Sequence, residues 1–260
     1  AALAGYSSES EEYVQWSRSR MVEVLQLLFA HHVQHIFTIP ATPGQFAEVG
    51  DYRRHLVRWI EWGVAGDEAM ADYDRLGWRV RLLTVGVDEL AGAQARLGQL
   101  RAAGDPTAKT LWYMVVADTE LFWQRLLETA VGAAAVTRAA VAQAFYGEAI
   151  PDITLYLAFG KPVIAPEFLP PLLYQKVDCY WTQRPGYQLS EAEWRTVLYD
   201  HAVLRSTWRA DKSDRAGAAL AQRAAWEHGP ILGLGQRLGP YWYPQPTPSP
   251  ANIDRDESAT

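Results

Sequence analysis

Arg53, Arg54 and Arg58 crowd beside Asp51 in one short stretch of the chain. Guanidinium groups bind phosphate oxygens bidentately, so such a cluster can clamp a diphosphate. The same spacing also suits ordinary charge pairing on a helix surface, and both readings stand. Eleven tryptophans and thirteen tyrosines pose a similar choice. Large rings pack cores well, and they also wall pockets for bulky apolar ligands or carbocations, whose charge is drawn to ring faces. His31, His32 and His35 resemble a metal cluster. They lie where a helix runs into a strand, with no carboxylate at ligand spacing, which fits cations near a helix C-terminus better than zinc. Asp67, Glu68, Asp72 and Asp74 read as a solvated helix face, and no Asp-Asp-x-x-Asp cluster occurs. There is no phosphate loop of the G-x-x-x-x-G-K-[ST] type, no dinucleotide fingerprint and no G-x-S-x-G elbow; Gly233 and Gly235 read as a turn.

Bulk properties narrow the class. The 260 residues suffice for one large domain with a buried core. A net charge of −6 argues against a general nucleic-acid binder, which needs a concentrated basic surface. The single cysteine, Cys179, excludes an internal disulfide framework and fits a reducing, cytoplasmic compartment. No stretch reads as a membrane span: the Ala-rich region 130–144 is interrupted by Arg138. No signal peptide is read, and the start at Ala1 raises the expectation of a removed N-terminal segment.

These candidates need elements to hold them. Ser8 and Glu11 form a capping-box pattern ahead of a helix whose apolar face would carry Val14, Met21, Leu25 and Leu28. A short β-like run, 35–39, closes at Pro40. A helical region over 47–76 follows, broken near 63–66. Strands are expected at 79–85, 109–116, 154–159 and 177–181. Between them lie helices at 88–103, from Asp118 to near Gly147, from the Ser190/Glu193 capping box to 208, and over 214–226. Residues 240–260, with Pro244, Pro246, Pro248 and Pro250, read as a disordered tail after a single domain over 1–239. Strands alternating with helices predict an α/β fold: a mostly parallel central sheet with helices on both faces. Ligands in such a sheet collect at the carboxyl ends of the strands, so loops 38–50, 86–89, 116–120 and 159–168 are the candidate surface.

Several motifs carry a family resemblance. They are Glu11–Glu12–Tyr13, Leu27–Leu28–Phe29–Ala30–His31, Phe145–Tyr146–Gly147–Glu148 and Phe159–Gly160–Lys161. Arg79–Val80–Arg81 belongs with them, and the most specific is Val197–Leu198–Tyr199–Asp200–His201 with Leu204–Arg205. Across about residues 6–243 the chain resembles the cis-prenyltransferase-like terpene synthases. That likeness implies the fold of undecaprenyl diphosphate synthase, a homodimer, Mg²⁺, and an allylic diphosphate substrate. In such enzymes the substrate is a bicyclic diterpene diphosphate made by a separate class II cyclase. Pyrophosphate leaves, and water or another nucleophile captures the cation.

The resemblance also assigns roles. Tyr13 falls on the family's active-site tyrosine, placing the nucleophile or stabilising the cation; a core tyrosine on a helix face is the alternative. Thr38 falls at the family's small hydroxyl residue. The candidate set is Tyr13 and Asp51 as catalytic residues, with Thr38, Arg53, Arg54 and Phe159 binding substrate. Asp200 and His201 read as structural. Two family elements are missing: the Asp-Gly-x-x-Arg-Arg-Trp loop expected before the first helix has no counterpart in 1–8, and the Arg-x-Ser-Gly-Glu element is replaced by Phe159–Gly160–Lys161–Pro162. The second absence argues against chain elongation. A true cis-prenyltransferase using isopentenyl diphosphate, or a non-catalytic partner subunit, are the competing expectations.

Overall fold

A computed structural model describes residues 10–48, 51–205, 215–221, 233–239 and 241–244, with Gly5 and Arg223. The first helix, α1 (Glu11–Ala30), is capped by Ser10, whose hydroxyl accepts from the Tyr13 amide. Ser10 therefore takes the capping role expected of Ser8, which lies outside the described residues. Val22, Leu25 and Phe29 form the buried face of α1, while Met21 is exposed. Leu25 lies on the buried face as expected, whereas Val22 and Phe29 take the places expected of Met21 and Leu28, and Arg18 on the same helix pairs with Asp72 and Glu68 on α4 (Asp67–Leu76).

The strand β1 (His35–Ala41) leads to a one-turn helix α2 (Pro43–Phe46) and to α3 (Tyr52–Ala65), which buries Leu56, Val57, Ile60 and Val64. An extended backbone at Gly66, ψ 166°, separates α3 from α4, and the position suits only glycine because a β-carbon there would sit 2.4 Å from the Trp62 carbonyl oxygen. The remaining parallel strands are β2 (Arg79–Val85), β3 (Thr110–Val116), β4 (Ile153–Phe159) and β5 (Tyr174–Thr182). Their helices are α5 (Ala91–Leu97), α6 (Thr119–Gly132), α7 (Arg138–Tyr146) and α8 (Glu191–Tyr199). Asp118 caps α6 by accepting from the Glu120 and Leu121 amides, and Ser190 with Glu193 forms the expected capping box on α8. The helical region after Asp118 is two helices, and α5 stops at Leu97, short of 103.

Strands β1, β3 and β2 form one parallel sheet in that order, and β4 pairs with β5 in a second parallel ladder. The α/β class with parallel strands is as expected; the described strands divide between two ladders. β3 explains why helices must cover both faces. Leu111, Tyr113 and Val115 pack with the cluster built from α1, α3, α4 and α5, whereas Trp112 and Val116 pack with α6 and α7. A central parallel strand buried on both sides reads as an unbroken apolar run. Thr-Leu-Trp-Tyr-Met-Val-Val is that run.

The amino ends of β2 and β3 are tied to the segment after α7 by an ion pair whose arginine is buried. Arg79 Nε donates to Thr110 Oγ1 at 3.0 Å and Arg79 Nη2 to Glu148 Oε2 at 2.7 Å. This spends the Arg79–Val80–Arg81 and Phe-Tyr-Gly-Glu motifs on structure. Trp112 Nε1 donates to His35 Nδ1 at 3.3 Å, and burial lowers the His35 pKa. After a short helix α9 (Arg215–Ala221), β6 (Gly235–Leu238) and β7 (Tyr241–Pro244) form an antiparallel hairpin. Regular pairing thus continues past the boundary drawn at 239, because Tyr241, Trp242 and Tyr243 are strand formers and Gly239 turns the chain with φ +61°. Positions 245–260 lie outside the described residues. No helix among the described residues is long and apolar enough to cross a membrane.

Removing one half of the Arg79–Glu148 pair strands the other in a desolvated place. Arg79→Ala should lower unfolding stability by about 3 kcal/mol, and Arg79→Met with Glu148→Leu by much less. Chemical denaturation of the three proteins reads the difference.

Candidate active site

The carboxyl ends of the parallel strands carry two groups of candidate residues. The first gathers where β1 and β2 end. Arg53 reaches from the start of α3 to donate to the Gly86 carbonyl at 3.4 Å and to Glu89 Oε1 at 3.1 Å. Its guanidinium also lies 5.5 Å from the Phe46 ring centroid. The Glu89 carboxylate pKa is lowered, chiefly by a hydrogen bond from its own backbone amide and further by Arg53, against the opposing effect of burial. Arg54 pairs with Asp51 one turn away, and both are exposed. Exposed ion pairs contribute little, typically below about 1 kcal/mol, so these arginines can turn to a phosphate at small cost.

The second group surrounds Tyr13. Its ring stacks on Trp16, centroids 6.1 Å apart and 26° between planes. Trp16 meets Tyr187 edge-on at 4.9 Å. Tyr187 belongs to a 3-10 turn, Gly186–Gln188, which follows β5 and packs on α1. The neighbouring Gly186 lies flat against Phe159: a β-carbon at Gly186 would be 3.0 Å from that ring. One turn therefore brings Tyr13 and Phe159 into a single aromatic belt. The partners of Arg53 and Arg54 belong to the other corner and are not shared with Tyr13. Thr38 lies apart from both: in mid-strand on β1, opposite Tyr113, it donates its hydroxyl proton to the Trp112 carbonyl at 3.1 Å.

Beyond the turn, Leu157, Tyr180, Trp181, Pro185, Leu189 and Val197 help to line a cavity of about 150 Å³ between β4, β5 and α8. Behind Tyr180 lies a polar network. The Tyr180 hydroxyl donates to Asp200 Oδ2 at 2.5 Å, and Arg205 Nε donates to the same oxygen at 2.6 Å. Arg205 also sits 4.5 Å over the Tyr180 ring. His201 Nδ1 lies 2.8 Å from Asp178 Oδ2. Burial and the bond to Asp200 push the Tyr180 phenol up to about 12. The hydrogen bonds from Tyr180 and Arg205 hold the Asp200 carboxyl below its usual range, although partial burial opposes them.

Trp16, Tyr187 and this network escaped the candidate set. The i,i+3 spacing of Tyr13 and Trp16 was a usable signal. Nothing local links Tyr187 or Tyr180 to α1 or to Asp200. His31 follows the ordinary reading, with Nδ1 3.0 Å from the Leu27 carbonyl at the helix end. Among the described residues no three His, Cys, Asp or Glu side chains converge on a possible cation position. Those residues do not fit a protein-built Mg²⁺ cage, and none is assigned to the ion.

The chain is 47% identical over 249 residues to (+)-kolavelool synthase of Herpetosiphon aurantiacus, covering 95% of this chain and 86% of that protein. Tuberculosinyl adenosine transferase of Mycobacterium tuberculosis matches at 32% identity over 69 residues, 26% of this chain and 23% of the relative. No protein-family model matches. Among solved structures, a probable undecaprenyl diphosphate synthase from Campylobacter jejuni superposes with a TM-score of 0.57 at 12% identity, over 72% of this chain and 90% of that one. Lavandulyl diphosphate synthase from Lavandula x intermedia, in complex with dimethylallyl diphosphate, gives 0.53 at 12% identity, over 81% and 91%. These structural likenesses establish the cis-prenyltransferase fold.

The belt has a direct test. In a double-mutant cycle, Trp16→Leu and Tyr187→Leu should couple by about 0.5–1.5 kcal/mol of unfolding free energy. Strict additivity would mean that the two rings do not touch.

Proposed function

The chain belongs to the terpene synthases built on the cis-prenyltransferase fold, and from that premise we propose that it ionises an allylic diterpene diphosphate and hydrates the resulting cation. The substrate is a bicyclic C20 diphosphate and the product a terpene alcohol with free pyrophosphate. The allylic C–O bond breaks heterolytically and its electron pair leaves on the diphosphate. A water oxygen then forms the new C–O bond, and its surplus proton passes to pyrophosphate or solvent. The observation that carries this reading is the belt of Tyr13, Trp16, Tyr187 and Phe159.

Developing positive charge is stabilised by ring faces, and a ring wall limits which water reaches it. Tyr13 offers the hydroxyl that positions that water. Arg53 and Arg54 are the donors proposed for the departing diphosphate, whose growing charge needs preorganised cations. Asp51 tethers Arg54 until substrate arrives. Thr38 acts at most from within the sheet, since its proton is engaged there.

The homodimer is proposed on the outer side of α6, where Leu121 and Trp123 are exposed and Leu127 and Val131 reach 61% and 82% exposure. A row of this kind is more than scattered surface apolarity. Leu127→Glu with Val131→Glu should turn a dimer into a monomer in sedimentation, with the circular dichroism spectrum retained.

Incubation with bicyclic diterpene diphosphates and Mg²⁺, followed by mass spectrometry, should yield an alcohol and pyrophosphate. Tyr13→Phe should reduce kcat by about 10²-fold or more, the lower range for a positioned proton-transfer or water-orienting group. Longer prenyl chains from farnesyl and isopentenyl diphosphates would instead mark an elongating enzyme. Absence of any product from either pair would leave the partner-subunit reading.

A further inference from the structure

The Leu-Tyr-Asp-His stretch followed by Leu-Arg is a distinctive part of this sequence, and the reaction just described makes no use of it. Its geometry is unusual. After α8 the helix widens into a π turn, Asp200–Leu204, in which the Arg205 amide bonds the Asp200 carbonyl five residues back at 2.8 Å. Such turns are rare and recur at functional sites, because the extra residue redirects side chains. Here it lets Asp200 and Arg205 both reach Tyr180. Asp200 accepts the hydrogen bond of the phenol and Arg205 covers one ring face. Next to them His201 meets Asp178, which lies two residues before Tyr180 and so shares its side of β5.

We propose that Asp200 is a positioning residue for Tyr180, and that Tyr180 selects the hydrocarbon end of the substrate in the cavity between β4, β5 and α8. The selection role rests on the terpene synthase reading above. Tyr180 contributes to the cavity wall together with Leu157, Trp181, Leu189 and Val197, and the mutually paired Arg184 and Glu193 line its polar side. At about 150 Å³ the cavity falls below the roughly 300 Å³ where sites for whole small molecules begin, so it takes one end of a C20 chain. Discriminating one hydrocarbon shape from another needs a wall that does not yield. A tyrosine held at its hydroxyl by a carboxylate and at its face by a guanidinium is such a wall. Arg205 already occupies one ring face, so Tyr180 serves as shape rather than as a second cation's partner.

The test uses the full chain with two substrates, a bicyclic C20 diphosphate and acyclic geranylgeranyl diphosphate. Asp200→Asn, Tyr180→Phe and the double variant are compared for KM, kcat and thermal midpoint. Each single variant should raise KM for the bicyclic substrate about tenfold and erode the preference for it, the scale on which a hydrophobic site distinguishes shapes. The double variant should go no further, kcat should change little, and Asp200→Glu should recover part of the loss. A shift in midpoint alone, with KM and preference unchanged, overturns the proposal, as do effects that add in the double variant.

Should the wild-type chain turn over neither substrate, the functional reading and the selection role fall together. The positioning role is then decided by ¹³C NMR of ring-labelled tyrosine, with Tyr180→Phe identifying the signal. Tyr180 should titrate near 12 in the wild type and lower in Asp200→Asn, where burial still holds it above the free phenol but the bond to a carboxylate is gone. An unchanged titration overturns it.

Discussion

A strand such as β3, with Leu111 and Val115 sealed under α1 and α3 and Trp112 and Val116 under α6 and α7, has no side left for chemistry. Covering both faces of a parallel sheet is what stabilises it, through burial of about 25 cal/mol per Å² of apolar surface. The consequence is spatial. Only the strand ends remain open to ligands, and the two ends have diverged. The amino ends are tied by Arg79, Thr110 and Glu148; the carboxyl ends carry the arginine corner and the aromatic belt.

That division sets the arginine corner, the proposed holder of an anionic diphosphate head, apart from the aromatic belt, the proposed wall for a hydrocarbon cation. Arg53 and Arg54 sit where surface pairing is weak, so their charge is available. The aromatic belt sits where α1 begins and β4 and β5 end, and it is held by close approach: Gly186 admits the Phe159 ring and Tyr187 meets Trp16. Water-excluding rings and cationic donors work against each other if intermixed, since a guanidinium over a ring spends the ring's attraction for a second cation. The Arg205–Tyr180 contact is such a pairing, and it belongs to a wall of the neighbouring cavity.

Much of the fold was legible because its signals are local. Strand 79–85 was placed to the residue, β3 to within one, and Asp118 and the Ser190/Glu193 box were recognised as caps from side chains that satisfy nearby amides. Errors arose where tertiary contacts chose between equal local options. Ser10 rather than Ser8 caps α1, and Val22 and Phe29 rather than Met21 and Leu28 join Leu25 on its buried face. At 241–244, read as part of the tail, the chain instead pairs with β6.

The residues alone determined the α/β class, the alternation of strand and helix, and the resemblance that led to terpene synthases, all of which follow from periodicity and short motifs. Only the tertiary structure decided that Tyr13 keeps company with Tyr187 and Phe159, that Arg53 belongs to another corner, and that Asp200 answers Tyr180. Those pairings join positions 20 to more than 170 residues apart. No periodicity encodes them, because they depend on which strand ends the packed core brings side by side.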